Sequence, residues 1–138
     1  MRDINRIVLH CSATVEGKDY SVDTIRKWHV DGRGWSDIGY HYVIQLDGTI
    51  SQGRPITRAG AHTKGHNKDS IGICYIGGID ADKKPKDTMT PEQNSAFRML
   101  VRSIRILFGE DITIHGHNEF ANKACPSFIV KEKFFDMY

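Results

Sequence analysis

Thr90-Pro91-Glu92-Gln93 opens the segment that most restricts how this chain can fold. Threonine at the cap offers its hydroxyl to an orphan amide, proline at the first helical position loses no hydrogen bond, and glutamine stands where a capping box needs it. The spacing predicts a helix to about Phe108, stopped at Gly109, with Phe97, Leu100, Val101, Ile104 and Phe108 on one face. A helix that long and one-sided needs an apolar surface beneath it. Two β-rich runs supply one: Ile4 to Leu9, and Ser70 to Ile76 closed by Gly77-Gly78.

The remaining segments are shorter. Ser21 or Asp23 caps a predicted helix to about Val30, which Gly32 and Gly34 end. Tyr40 to Leu46, Asp47-Gly48 and then Thr49-Ile50 read as a hairpin, because Asp-Gly supplies the positive φ angles of a type I′ turn. Asp80 to Asp87 is a charged surface turn, Ile112 to Ile114 a short strand, and Ser127 to Phe135 a closing helix. Residues 53–70 form a long irregular loop, and loops of that length inside a compact domain are usually functional. Strands and helices mix without a strict βαβ rhythm, so the expectation is an α/β fold: one domain over residues 1–138, a mixed central sheet flanked by helices.

Charge and cysteines narrow the function classes. Nineteen basic against seventeen acidic residues leave a net charge of +2, too small to argue for nucleic acid or an anionic membrane as partner. The apolar run Ile7 to Leu9 is too short for a signal peptide or a membrane span, so synthesis in the cytoplasm is expected. No self-complementary apolar patch is evident, which favours a monomer. Three cysteines, an odd number, do not read as a disulfide framework; thiolate chemistry or metal ligation is the better use for one of them.

His10 at the end of the first strand, His117 after the late strand, and Cys125 stand out as metal ligands. Their spacing is unlike the paired CxxC thiolates of a closed structural zinc site, and two imidazoles with one thiolate leave a fourth position open, as a catalytic zinc requires. Taken singly, each has an ordinary explanation: a satisfied histidine, a turn residue, a small buried hydrophobe. Alternation along the strand turns Cys11 away if His10 faces the site, and Cys74 is most simply core. His115 shares a side with His117 if the strand continues, and His29, His41, His62 and His66 stay open as further candidates.

Several segments resemble one family. Val8-Leu9-His10-Cys11-Ser12-Ala13-Thr14, Gly39-Tyr40-His41-Tyr42, Asp47-Gly48-Thr49, Ser70-Ile71-Gly72-Ile73 and Lys123-Ala124-Cys125-Pro126-Ser127-Phe128 look like those of the phage lysozymes that are N-acetylmuramoyl-L-alanine amidases. They occur in that family's order over nearly the whole chain, and the fold is shared with the animal peptidoglycan recognition proteins. The resemblance implies one zinc ion held by His10, His117 and Cys125, in preference to Cys11 or His115. It implies Tyr40 facing the zinc and Lys123 beside the cysteine ligand, both needed for hydrolysis of the bond between the lactyl group of N-acetylmuramic acid and L-alanine. The implied partner is peptidoglycan, reached after release from the cell that makes the enzyme.

Trp35, Arg54, Arg58, His62 and Thr63, on the loops about 32–40 and 53–70, are candidate substrate contacts, with Arg54 or Arg58 able to pair with a stem-peptide carboxylate. Asn118 departs from the pattern, which often has a second histidine there, so no proton transfer is assigned to it. The segment before the first strand is short. Inhibition of a phage RNA polymerase, a second activity of some relatives, is therefore not carried over. The alternative from a different class is a recognition module that binds peptidoglycan without cutting it.

Overall fold

The computed structural model describes residues 2–138; Met1, the start of the expected domain, lies outside the described residues. In chain order the elements are β1 (Arg6–Cys11), β2 (Thr14–Val15), α1 (Val22–Lys27), β3 (Tyr42–Ile44), β4 (Ile50–Gln52), β5 (Ser70–Tyr75), β6 (Gly78–Ile79), α2 (Pro91–Phe108), β7 (Thr113–Gly116) and α3 (Val130–Lys133). Five strands form one sheet in the order β4-β3-β5-β1-β7, and β2 pairs with β6 in a two-stranded ribbon. All neighbours in the large sheet are parallel except the β3–β4 hairpin, so the sheet is mixed as expected.

Helix α2 forms as its local chemistry dictates. Thr90 Oγ1 accepts from the Gln93 amide at 3.0 Å, and Gln93 Oε1 accepts from the Thr90 amide at 2.9 Å. Phe97, Leu100, Val101 and Ile104 lie on Ile7, Leu9, Ile71, Ile73 and Tyr75, and Phe134 closes one side at 4.9 Å from the Phe97 ring. Alternation along β1 and β5 then fixes the opposite face: Ile7, Leu9 and Cys11 join the α2 core, whereas Val8 and His10 turn away from it. A smaller cluster of Ile25, Ile38, Val43 and Ile76 anchors α1.

Gln93 does more than cap. Its side chain is fully buried, and Nε2 donates to the carbonyls of Ile44 at 3.1 Å and Ile76 at 3.0 Å, stitching the ends of β3 and β5 to the helix start. Gln93→Leu keeps the volume and removes these donors and the acceptor for Thr90. Buried groups left without partners cost ~1–3 kcal/mol each, so the variant should lose about 2–4 kcal/mol in urea unfolding. A loss below about 1 kcal/mol would show that the stitch contributes little.

Three elements differ from expectation. The hairpin turns through three residues: Gly48 donates to the Gln45 carbonyl at 2.9 Å, Gln45 to the Thr49 carbonyl at 2.9 Å, and of Asp47 and Gly48 only Gly48 has positive φ, 87°. That is a type I turn followed by a left-handed residue, not the two-residue type I′ turn, because the Asp47 carboxylate instead accepts the Thr49 amide. The first helix is capped by Ser21 and widens into a π turn over Trp28–Gly32. The closing helix spans only Val130–Lys133, because residues before it are held over the sheet edge by the contacts described next.

Candidate functional site

His10 is the penultimate residue of β1, and His117 follows Gly116, the last residue of β7, which pairs with Leu9. Adjacent parallel strands thus deliver both imidazoles to the same carboxyl end of the sheet, where α/β folds place their ligands. Cys125 arrives on the segment after β7. The Asn118 amide donates to the Cys125 carbonyl at 2.8 Å and its side chain to the Phe128 carbonyl at 3.0 Å, so Asn118 clamps the two ligand-bearing segments together. The Cys11 amide donates to Cys125 Sγ at 3.2 Å and fixes the sulfur.

One donor atom from each of His10, His117 and Cys125 lies within 4.8 Å of the others. His10 Nδ1 stands 3.8 Å from Cys125 Sγ. Tetrahedral zinc, with bonds of about 2.0–2.3 Å to nitrogen and sulfur, needs its ligands roughly 3.3–3.7 Å apart, a spacing that small side-chain shifts provide. Donor chemistry and spacing therefore fit a borderline-soft metal ion. Burial, then the neighbouring His62, His117 and Lys123, hold the His10 pKa well below its ordinary value, leaving it the neutral imidazole that ligation requires. Burial, then Lys123, lowers His117 as well.

The other sequence candidates separate. Cys11 lies in the α2 core, and Cys74 is fully buried. His115 turns away from His117 to Glu119, Nδ1 to Oε1 at 2.9 Å. His41 donates from Nε2 to the Arg58 carbonyl at 2.8 Å, and its Nδ1 accepts the Gly72 amide at 3.0 Å. His66 contacts Arg6 through Nδ1 at 2.8 Å. His62 sits behind His10, its Nδ1 2.9 Å from His10 Nε2, on the side away from Cys125. Burial, followed by His41, His117, Arg2 and Arg54, pushes His62 down to about 3.

Two hollows that share His117, Lys123 and several other lining residues open at the ligand histidines. The inner one, about 100 Å³, is lined by His10, Tyr40, His117 and Lys123, with His29, Arg33, Trp35, Ala61 and His62. Tyr40 packs against His10 at 5.1 Å and His29 at 5.4 Å between ring centres. Burial raises the Tyr40 pKa well above its ordinary value, and the sulfurs of Cys74, Cys125 and Cys11 add to the rise. The outer cleft, about 430 Å³, includes Trp35, His62, Thr63, Lys64, Asn67, Phe120 and Lys123.

Among the candidate substrate contacts, Trp35, His62 and Thr63 line this cleft. Arg54 and Arg58 are not among its lining residues. The Arg54 guanidinium is engaged by the backbone carbonyls of Ile38 at 2.9 Å and Ala59 at 2.9 Å, holding the loop on the sheet. Arg33, over the Trp35 ring at 5.2 Å, and Lys64 supply the cleft's cationic side instead. Sequence reasoning also passed over His29 as a support: its Nδ1 accepts the Gly39 amide at 2.9 Å and sets the backbone before Tyr40. The π turn that aims His29 leaves no simple sequence period.

Residues 1–128 match the family described as N-acetylmuramoyl-L-alanine amidase. The chain is 41% identical over 130 residues to an endolysin of Klebsiella phage KP32, covering 94% of this chain and 85% of that protein. It is 42% identical over 125 residues to the endolysin of Escherichia phage T7, covering 91% and 82%. In three dimensions it resembles the N-acetylmuramoyl-L-alanine amidase LysC from Clostridium intestinale URNW, with a TM-score of 0.78, 29% identity, and coverage of 97% of this chain and 87% of that one. It also resembles bumblebee PGRP-SA, with a TM-score of 0.82, 28% identity, and coverage of 99% and 86%. With a profile match across almost its full length, phage endolysins above 40% identity and a convergent His-His-Cys cluster, the chain belongs to the N-acetylmuramoyl-L-alanine amidase family.

Proposed function

We propose that this chain is a zinc amidase of the endolysin type that hydrolyses the amide between the lactyl group of N-acetylmuramic acid and L-alanine in peptidoglycan. One observation carries it: His10, His117 and Cys125 converge beside a hollow that also holds Tyr40 and Lys123, with no fourth His, Cys, Asp or Glu in the cluster among the described residues. A closed fourth ligand would make such a centre structural; an open one admits substrate. When bound, zinc supplies Lewis acidity towards the scissile carbonyl and the attacking water.

The chain's own groups supply the rest. Lys123, two residues before Cys125, offers a cation where the amide oxygen gains negative charge in the tetrahedral state. Tyr40 lines the same inner hollow, and its hydroxyl would orient the attacking water or hand a proton to the departing alanine nitrogen. Arg33, Lys64 and Lys123 make the cleft cationic, and no acidic side chain lines it among the described residues. Stem peptides carry carboxylates, so this lining complements the leaving-group side of the substrate. Trp35 offers a flat apolar face to sugar or peptide.

The test is release of new amino groups from purified peptidoglycan, with mass spectrometry of the products. Chelation by EDTA should abolish release, and zinc added back in stoichiometric amount should restore it with L-alanine amino termini. Bound zinc and bound wall with intact glycan-peptide links would instead make the chain a recognition module.

A further inference from the structure

We infer that His62 is a positioning residue for the metal centre: with Ser70 it forms a directed hydrogen-bond chain that fixes the ring-proton position of the ligand His10. The inference rests on the proposed role of His10 as a metal ligand.

The direction follows from counting protons. The Ser70 hydroxyl is fully buried and lies 2.7 Å from the His66 carbonyl, which can only accept. The single hydroxyl proton is committed there. His62 Nε2, 3.2 Å from the same oxygen, must then be the donor, so it carries the ring proton of this neutral imidazole. His62 Nδ1 is therefore bare and accepts from His10 Nε2 at 2.9 Å, and His10 Nδ1 is left bare on the side of Cys125, 3.8 Å from Sγ. Thr63 Oγ1, 3.0 Å from His62 Nδ1 and 3.3 Å from His10 Nε2, sits between the two rings without changing which nitrogen donates. A backbone carbonyl three hydrogen bonds away thus sets which His10 nitrogen presents a lone pair to a cation.

The protein holds His62 in place for this. Its ring lies on the backbone of Gly72 so closely that a Cβ there would come within 2.6 Å of two ring atoms. The Asn67 side chain accepts the His62 amide at 3.0 Å and the Thr63 amide at 2.8 Å, closing the loop around the ring. Ligand histidines are commonly oriented through the nitrogen that does not bind metal, usually by a carboxylate or carbonyl. A neutral histidine can accept that hydrogen bond here, provided its own tautomer is locked, which is what Ser70 does.

Two measurements test this on the full chain. Long-range proton–nitrogen NMR of the metal-free protein should show His10 and His62 both protonated on Nε2, with both tautomers of His10 populated in Ser70→Ala. His10 protonated on Nδ1 in the wild type overturns the chain, whether or not the protein binds zinc. Competition with a chromophoric chelator should then show zinc affinity about 10- to 100-fold weaker in His62→Phe. It should stay close to wild type in His62→Asn, whose amide oxygen replaces the Nδ1 acceptor. Equal affinity of wild type and His62→Phe, with urea unfolding of the metal-free forms showing both folded, overturns the positioning role. A wild type that binds no zinc at all defeats the proposed function instead, while the NMR still decides the hydrogen-bond chain.

Discussion

Cys125→Ala protein, purified beside the wild type, is expected to carry far less than one zinc per chain and to release no measurable amino groups from peptidoglycan. Of the three donors Cys125 alone brings a thiolate, the ligand that matches a borderline-soft ion and neutralises part of its charge. Two imidazoles remaining at a site built for three ligands leave two open positions and a much weaker hold on the ion. The loss should exceed the ~10²-fold penalty typical of a residue that only supports a ligand. The fold should survive, because the sulfur is half-buried at the core's margin and the Asn118 clamp uses the Cys125 carbonyl, which alanine keeps. Elemental analysis together with far-ultraviolet circular dichroism decides the matter: a folded variant with stoichiometric zinc removes Cys125 from the ligand set.

Two kinds of information separate what residues alone disclose from what only the folded chain discloses. Helix α2 was legible nearly to the residue, because its start is written in side chains that touch their own backbone within three positions and its stop in a glycine. The Asp-Gly hairpin was legible as a hairpin but not in its turn type, since Asp47 tolerates either sign of φ and its carboxylate bond to Thr49 decided between them. The π turn after α1 had no local signature and was read as continued α-helix.

At the site, chemistry was legible and geometry was not. His10 at a strand end and His117 after a strand could be proposed from residue type, yet resemblance was needed to prefer them to Cys11 and His115. The folded chain gives the physical grounds: alternation sends Cys11 into the α2 core, and Glu119 draws His115 away. Arg54 looked like a substrate contact because a loop arginine is normally solvated. Nothing near it in sequence announces that its partners are carbonyls at Ile38 and Ala59. His62 shows the same limit in reverse, for its partners His10 and Ser70 meet it only through the pairing of β1 with β5.

Tyr40→Phe should separate metal binding from chemistry. The substitution removes one hydroxyl and keeps the ring that packs on His10 and His29, so zinc content and unfolding should match the wild type. Proton transfer by a placed side chain contributes roughly 10²- to 10⁴-fold, and turnover on peptidoglycan should fall by that factor. At about 1.36 kcal/mol per tenfold, the hydroxyl would then lower the barrier by about 3–5 kcal/mol. Lys123→Ala offers the contrast. It removes charge from both the inner hollow and the outer cleft, so substrate binding should weaken along with turnover. Tyr40 lines only the inner hollow of the two, where the ligands converge, so its loss should appear in kcat with KM little changed. A Tyr40→Phe enzyme with full kcat would remove the hydroxyl from the reaction and leave Lys123 and the metal centre to account for catalysis.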